Sequence, residues 1–416
     1  MSNTNLLSRI LRNIKNGLFF IFVMLFYFKS ILFIVTTLFL CDLFIWNKRI
    51  KNFIVQFNKR AWLHLTMAAL YIYFPNPIFI NYDPKVLDKM KNIVISNHVS
   101  EYDWVLILTL LYHLNRYDDV CIILKQSLRN VPLIGYGMKC FGFIFLNRKL
   151  SDDKIILNKG VSRLIDQKKY NLLLFPEGTY IDSTSYPKSC EFAIKNEIKA
   201  NGKRFLPKNV LIPRTSGFNI LKEKIIEDID GIIDITMVMT PLVHFPQEEY
   251  TYADTILKFK GRIHCCFYID FISDKKKIND LNFLFDTFKA KDDLLEKYKN
   301  LYDKEIFKDL RDFKIKTSNI RSTRHNYEYK IIDLRRILTM ITVLSLSLRI
   351  SWSTNSEIKL KIMFLLTISK VFLTRANTSE TSILLFLVKR ISFRTILEFF
   401  GTLLTTLRMD LLSESE

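Results

Sequence analysis

Residues 93–104 read IVISNHVSEYDW. The β-branched run predicts a short buried strand over Ile93–Ser96, with Asn97 and His98 at its exit. A helix is expected to start by Tyr102. A histidine at a strand exit, with Asp103 five residues on at a helix start, can form a His–Asp pair. The carboxylate fixes the imidazole tautomer and stabilises the imidazolium, so the imidazole can take a proton from a hydroxyl. Spacing alone does not single this pair out. His113 and Asp118 repeat the separation in YHLNRYD, without the preceding asparagine and strand.

Outward from this stretch, residues 61–272 alternate short apolar runs with longer helical patterns. The expected strands are Ile93–Ser96, Val120–Leu124, Phe143–Leu146, Asn171–Phe175, Val210–Ile212, Ile233–Met239 and Ile263–Phe271. The expected helices are 102–114, 131–140, 151–168, 187–199 and 214–226, with Ser151-Asp152-Asp153 as a cap signal for the third. The pattern implies an α/β domain with a mixed, mostly parallel sheet flanked by helices.

Three more strand exits carry polar residues. Gly142–Arg148 (GFIFLNR) ends an apolar strand in an arginine, whose guanidinium can hold a phosphate bidentately. Leu172–Thr179 (LLLFPEGT) runs a buried strand into Glu177, Gly178 and Thr179. There the glycine permits close backbone approach. Val210–Phe218 (VLIPRTSGF) stops an apolar run at Pro213, with Arg214 leading into a helix. Open α/β sheets bind ligands beyond the carboxyl ends of their strands.

This ordered set resembles the four sequence blocks of the glycerolipid acyltransferases, the lysophosphatidic acid acyltransferase family. Asn97-His98 with Asp103 is similar to the family's H-x4-D block; Gly142–Arg148, Phe175–Thr179 and Val210–Pro213 are similar to the other three. The resemblance covers roughly residues 90–245. Lys125-Gln-Ser-Leu-Arg129 with Pro132 and Gly135, Pro213–Phe218, and Ile233–Thr236 look like one branch of it. That branch holds the gamma, delta and epsilon lysophosphatidate acyltransferases and the lysocardiolipin acyltransferase. Many members carry Arg after Glu-Gly-Thr as a further phosphate contact. Here that position is Tyr180.

The resemblance implies the glycerolipid acyltransferase fold and acyl transfer from acyl-CoA, as co-substrate, to the sn-2 hydroxyl of lysophosphatidic acid. It implies His98 as base and Asp103 as its orienting partner. Arg148, Glu177, Gly178, Thr179 and Lys125 would position the acceptor phosphate, supported by Asn97, Pro213 and Arg214. No metal or other cofactor is expected, since the six histidines do not cluster in sequence. Two other readings stand beside this one. One is a remodelling enzyme acting on lysocardiolipin or lysophosphatidylinositol. The other is a non-catalytic, membrane-anchored lipid-binding protein that kept the fold.

The rest of the chain agrees with a lipid surface. Lys+Arg number 61 and Asp+Glu 41, a net charge of +20, in a sequence that is 49% hydrophobic. Such a chain is too apolar to be disordered, and its basic excess fits an anionic membrane surface. Nucleic acid is not expected as a partner. There is no RNP motif, zinc finger or basic zipper region, and the aromatics sit in apolar runs. The six cysteines are scattered and fall outside the four blocks, as reduced thiols would.

Leu18–Cys41 holds 24 residues with one charge, Lys29, long enough to cross a bilayer once. A hairpin breaking near Lys29 and Ser30 is the alternative. Basic residues flank the stretch on both sides and give no orientation. The expected organisation is an N-terminal membrane anchor over 1–60 and an acyltransferase domain over 61–272. A charged helical appendage and linker would follow over 273–330, then C-terminal membrane-associated helices over 331–416. The family's usual home implies the endoplasmic reticulum, with the active site facing cytosolic acyl-CoA.

Overall fold

The computed structural model describes residues 3–73, 78–86, 88–113, 116, 119–240, 242–251 and 264–302. Residues 303–330 of the expected appendage and linker, and the expected C-terminal helices over 331–416, lie outside the described residues, as does Asp118. Two long helices lead, α1 (Asn3–Phe44) and α2 (Lys48–Tyr73). There follow β1 (Ile78–Tyr82), β2 (Lys91–Ser96), α3 (Asp103–His113), β3 (Val120–Lys125), α4 (Ile134–Cys140), β4 (Ile144–Leu146), α5 (Leu150–Ile165) and β5 (Tyr170–Leu174). Then come α6 (Ser185–Lys195), the two-residue strands β6 (Lys199–Ala200) and β7 (Lys203–Arg204), α7 (Thr215–Ile225) and β8 (Gly231–Thr240). The described chain closes with α8 (Pro246–Glu249), β9 (His264–Ile272), α9 (Lys275–Asn279) and α10 (Phe283–Tyr302).

The seven-stranded sheet runs in the order β1-β9-β8-β2-β5-β3-β4. The five strands from β8 to β4 are mutually parallel. β9 turns antiparallel to β8 and pairs parallel with β1. The exits of β2, β5, β3 and β4 therefore share one edge of the sheet, as the sequence pattern requires of a ligand-binding rim. Helices cover both faces, as the nearly unbroken apolar strands demand. Val94, Leu173, Ile122 and Ile233 face the layer of α1, α2 and α3. Their neighbours Ile93, Leu172, Cys121 and Ile232 face α5, α7 and α10. In the first layer Trp62 of α2 stacks on Trp104 of α3, with ring centroids 6.1 Å apart.

Four expectations change. Val210–Ile212 is not a strand. It is a buried irregular segment whose amides are taken by side chains: Leu211 N–H by Glu177 Oε1 at 2.9 Å and Ile212 N–H by Ser189 Oγ at 2.8 Å. Ser151 does not cap its helix, which starts one residue earlier with Asp153 Oδ1 accepting from Asn147 N–H at 2.7 Å. The break at Lys29 and Ser30 is absent. α1 runs through both, with the Ser30 hydroxyl donating to Phe26 O at 2.8 Å, and the turn falls at residues 45–47. Within α1, Val23–Phe44 is a 22-residue helix of mean hydropathy 2.1, long and apolar enough by length and composition to cross a membrane.

The fourth change lies beyond residue 272. α10 was expected to be part of a solvated appendage, yet it buries Phe283, Phe288, Leu294, Leu295 and Tyr298 against the sheet. It also buries a charge. Lys291, 1% exposed, pairs with Asp234 in the middle of β8 and donates to Ile235 O. A buried carboxylate on a central strand needs such a partner, because an unpaired charge there would cost several kcal/mol. α10 is thus part of the domain expected to end at 272. Truncating Phe288, which is fully buried, to alanine should cost ~3–5 kcal/mol, read as a lower urea midpoint of the detergent-solubilised chain. A solvated helix would lose less than about 0.5 kcal/mol.

Candidate active site

The site grows from the exit of β2. Asn97 is buried and uses its side-chain amide as a substitute for a strand residue. Nδ2 donates to Met237 O at 3.0 Å and Oδ1 accepts from Met237 N–H at 2.8 Å. The ladder to β8 is thereby finished while the backbone turns away. His98 follows at the surface, its side chain 19% exposed. Its backbone N–H donates to Glu177 Oε2 at 2.6 Å and its carbonyl accepts from Ile181 N–H at 3.0 Å. Both bonds tie the histidine to the loop after β5.

Asp103 is the first residue of α3 and is fully buried. Its Oδ2 lies 3.0 Å from His98 Nδ1 and accepts from Val99 N–H at 2.6 Å. Its Oδ1 accepts from Ser100 N–H at 2.9 Å and from the Ser100 hydroxyl at 2.5 Å. Every acceptor bond available to an ionised carboxylate is used, and the helix N-terminus favours the negative charge. An ionised carboxylate only accepts, so the Nδ1 proton of His98 points at Asp103 and the Nε2 lone pair is left free. The ring is held by aromatics as well. Phe175 stacks on it at 4.3 Å between centroids, and Tyr180 meets it edge-on at 5.7 Å.

Glu177 points into the protein. It is 3% exposed, and its two oxygens accept the backbone N–H groups of His98 and Leu211. The expected role on a phosphate is replaced by a structural one: the carboxylate joins the exit of β2 to the segment before α7. Burial pushes its carboxyl up to about 8, against the pull of those two hydrogen bonds. Gly178 follows with φ +77°, where a side chain would be strained. Arg148, past the end of β4, donates from Nη2 to Gly178 O at 2.8 Å. It adopts φ +66° itself, a costly backbone for a non-glycine residue.

Thr179 is half-buried, Pro213 is buried, and Arg214 and Lys125 are exposed. Arg214 N–H donates to Pro176 O at 2.8 Å, so the segment before α7 lies directly on the Glu177 turn. The structure therefore brings His98, Asp103, Glu177, Gly178, Arg148 and Arg214 together. Lys125 ends the neighbouring strand β3 without a hydrogen bond to any of them. Among the described residues no three His, Cys, Asp or Glu side chains converge as metal ligands would.

Several participants escaped the sequence pattern. The rings of Phe175 and Tyr180 sit inside or beside a block, but nothing local aims them at His98. Asp292 of α10 accepts from Asn209 N–H at 2.6 Å and from Lys208 N–H at 3.0 Å, anchoring the segment that leads to Leu211. Its signal, an aspartate in the run AKDDLLEKYK, is that of any solvated helix.

Comparison with known proteins places these features. The family model described as Acyltransferase matches residues 80–238. A 2-acyl-1-lysophosphatidylinositol acyltransferase of Saccharomyces cerevisiae is 30% identical over 244 residues, covering 46% of this chain and 59% of the relative. Lysocardiolipin acyltransferase 1 of Gallus gallus is 31% identical over 209 residues, 49% of this chain and 51% of the relative. A 1-acyl-sn-glycerol-3-phosphate acyltransferase of Arabidopsis thaliana is 28% identical over 219 residues, 51% of this chain and 53% of the relative. The chain thus spans little more than half the length of these relatives.

The raised Glu177 carboxyl has a measurable consequence. A group that binds its proton more tightly folded than unfolded stabilises the fold below its unfolded pKa, 4.5 here. That contribution is lost as pH rises through the folded value of about 8. Stability should therefore fall between pH 5 and pH 8, and Glu177→Gln should flatten the slope in denaturation series across that range.

Proposed function

We propose that this protein, whose residues 80–238 match the Acyltransferase family model, is an acyl-CoA-dependent lysophospholipid O-acyltransferase of the glycerolipid acyltransferase family. Its acceptor is lysophosphatidic acid, esterified at the sn-2 hydroxyl to give phosphatidic acid. The observation that carries the reading is the 3.0 Å contact of His98 Nδ1 with a fully buried Asp103. That contact leaves Nε2 basic at the sheet rim.

His98 Nε2 takes the proton of the acceptor hydroxyl as its oxygen attacks the thioester carbonyl. The C–O bond forms and the C–S bond breaks. The imidazolium returns the proton to the departing sulfur, so CoA leaves as a thiol and His98 is restored. Asp103 holds the tautomer and stabilises the imidazolium between the two transfers. General base assistance of this kind is worth ~10²–10⁴-fold. Arg148 neutralises acceptor phosphate, and acyl-CoA is consumed as co-substrate without a further cofactor.

The amphiphilic acceptor fits the chain's surface. Leu25, Phe28, Leu32, Phe39 and Leu43 of α1 and Phe53 of α2 are exposed apolar side chains. They would seat the domain on a bilayer, where a basic protein also meets anionic lipid. A soluble acyl-CoA donor supports a site on the cytosolic side, and the family's usual home supports the endoplasmic reticulum.

A second acceptor class is favoured by Tyr180, which stands where a phosphate-binding arginine is common and lies against His98 instead. That departure from the common pattern favours an acceptor other than lysophosphatidic acid, and lysocardiolipin and lysophosphatidylinositol are the candidates. Both readings are tested with the detergent-solubilised chain, oleoyl-CoA and a panel of these three acceptors. CoA release should depend on the acceptor and fall at least ~10²-fold in His98→Ala. The preferred acceptor assigns biosynthesis or remodelling. Release that persists in His98→Ala would overturn the mechanism. No acceptor-dependent release from folded wild-type protein would leave a lipid-binding protein.

A further inference from the structure

Arg214 stands next to Gly178. A Cβ built on that glycine would lie 3.2 Å from Arg214 Nε and 3.5 Å from its Cζ. The guanidinium therefore packs against the α-carbon face of Gly178, while Arg148 holds the same residue by its carbonyl at 2.8 Å. Two guanidinium groups thus converge on one glycine. Both side chains are exposed, and neither has a carboxylate partner among the described residues. The one carboxylate within the turn, Glu177, is spent on two backbone amides. Two like charges held this close without a counter-charge make a local positive field with most of its N–H donors unused, which is the chemistry of an anion site. The rim is fixed rather than adaptable. Arg148 is held at φ +66°, and Arg214 is pinned at its backbone to Pro176.

We propose that Arg214 is the second phosphate-binding arginine of the site and forms a clamp with Arg148 across Gly178. The inference rests on the acyltransferase reading for the identity of the anion, the glycerophosphate common to every acceptor named above. Each guanidinium presents a planar fork of N–H donors that matches the non-bridging phosphate oxygens. Gly178 is the spacer that lets both approach. The turn carries His98 and the clamp on one Glu177 carboxylate, so the acceptor phosphate and the base are set at a fixed separation. Tyr180 takes no cationic part; the positive charge arrives instead from the segment before α7.

The test uses the full chain with Arg214→Ala, Arg214→Lys, Arg148→Ala, the double alanine variant and His98→Ala. Arg214→Ala should raise KM for the lysophospholipid ~10–100-fold with KM for acyl-CoA unchanged. Arg214→Lys should recover only part of this, because an ammonium lacks the planar fork. The double variant should lose less than the product of the single losses, as two groups on one phosphate do. Calorimetric binding of monomeric lysophosphatidic acid provides a readout without turnover. His98→Ala should bind as wild type does, and Arg214→Ala should not. An unchanged acceptor KM and affinity in Arg214→Ala would overturn the clamp. So would a rise confined to acyl-CoA, which would put the guanidinium on the phosphates of CoA. Failure of the enzymatic reading is distinct: wild-type protein would then transfer no acyl group, while Arg214-dependent binding of the acceptor would still stand.

Discussion

One buried carboxylate carries the geometry of the rim. Glu177 receives the backbone N–H of His98 on one oxygen and that of Leu211 on the other, at 2.6 and 2.9 Å. These residues lie on separate segments, one leaving β2 and one approaching α7. Among the described residues no other side chain hydrogen-bonds to both segments at the point where His98 is placed. Hydrogen bonds are reinforced where water is excluded. The same burial raises the carboxyl's proton affinity, so rigidity and charge are in tension at this residue. Asp103 is equally buried and sits at a helix N-terminus with four donors around it.

The packing around this bridge explains why the site tolerates strained backbone. Arg148 and Gly178 both occupy the left-handed region, and each is held by the other through Arg148 Nη2 and Gly178 O. Sparsely populated conformations persist where surroundings over-determine them. Here the surroundings are the parallel strands below, Pro176 beside Arg214, and the aromatic pair Phe175 and Tyr180 around the imidazole. The basic side chains are left bare while the acidic ones are consumed internally, and that asymmetry makes the rim attractive to anions.

Much of this was legible in the sequence for a physical reason. The strand exits at Asn97, Arg148 and Glu177 are local events, an apolar run followed at once by polar residues, and pattern reading detects such events. The His98–Asp103 pairing was legible because a helix start is also local. Val210–Ile212 misled because VLIP has the composition of a buried strand. Its amides are satisfied by Glu177 and Ser189, side chains remote in sequence, so no ladder is needed. α10 misled because its charges resemble a solvated face, whereas Lys291 and Asp292 are buried and matched to Asp234 and to the amides before Leu211. The role of Glu177 could not be read either, since an acidic residue at a strand exit invites a ligand role until both of its oxygens are seen to be occupied.

The placement of Lys291 and Asp292 bears on the order in which the protein is made. All four blocks have been synthesised by Phe218, and the whole sheet by Ile272. Lys291, the partner of Asp234, and Asp292, the acceptor of the Lys208 and Asn209 amides, both come after that point. The nascent chain therefore carries a complete set of motifs on an incomplete scaffold. The segment before Leu211 and the centre of β8 are thus anchored by a helix that contains none of the motifs. A chain cut after the last motif would keep every block and lose the contacts that hold the fourth in place.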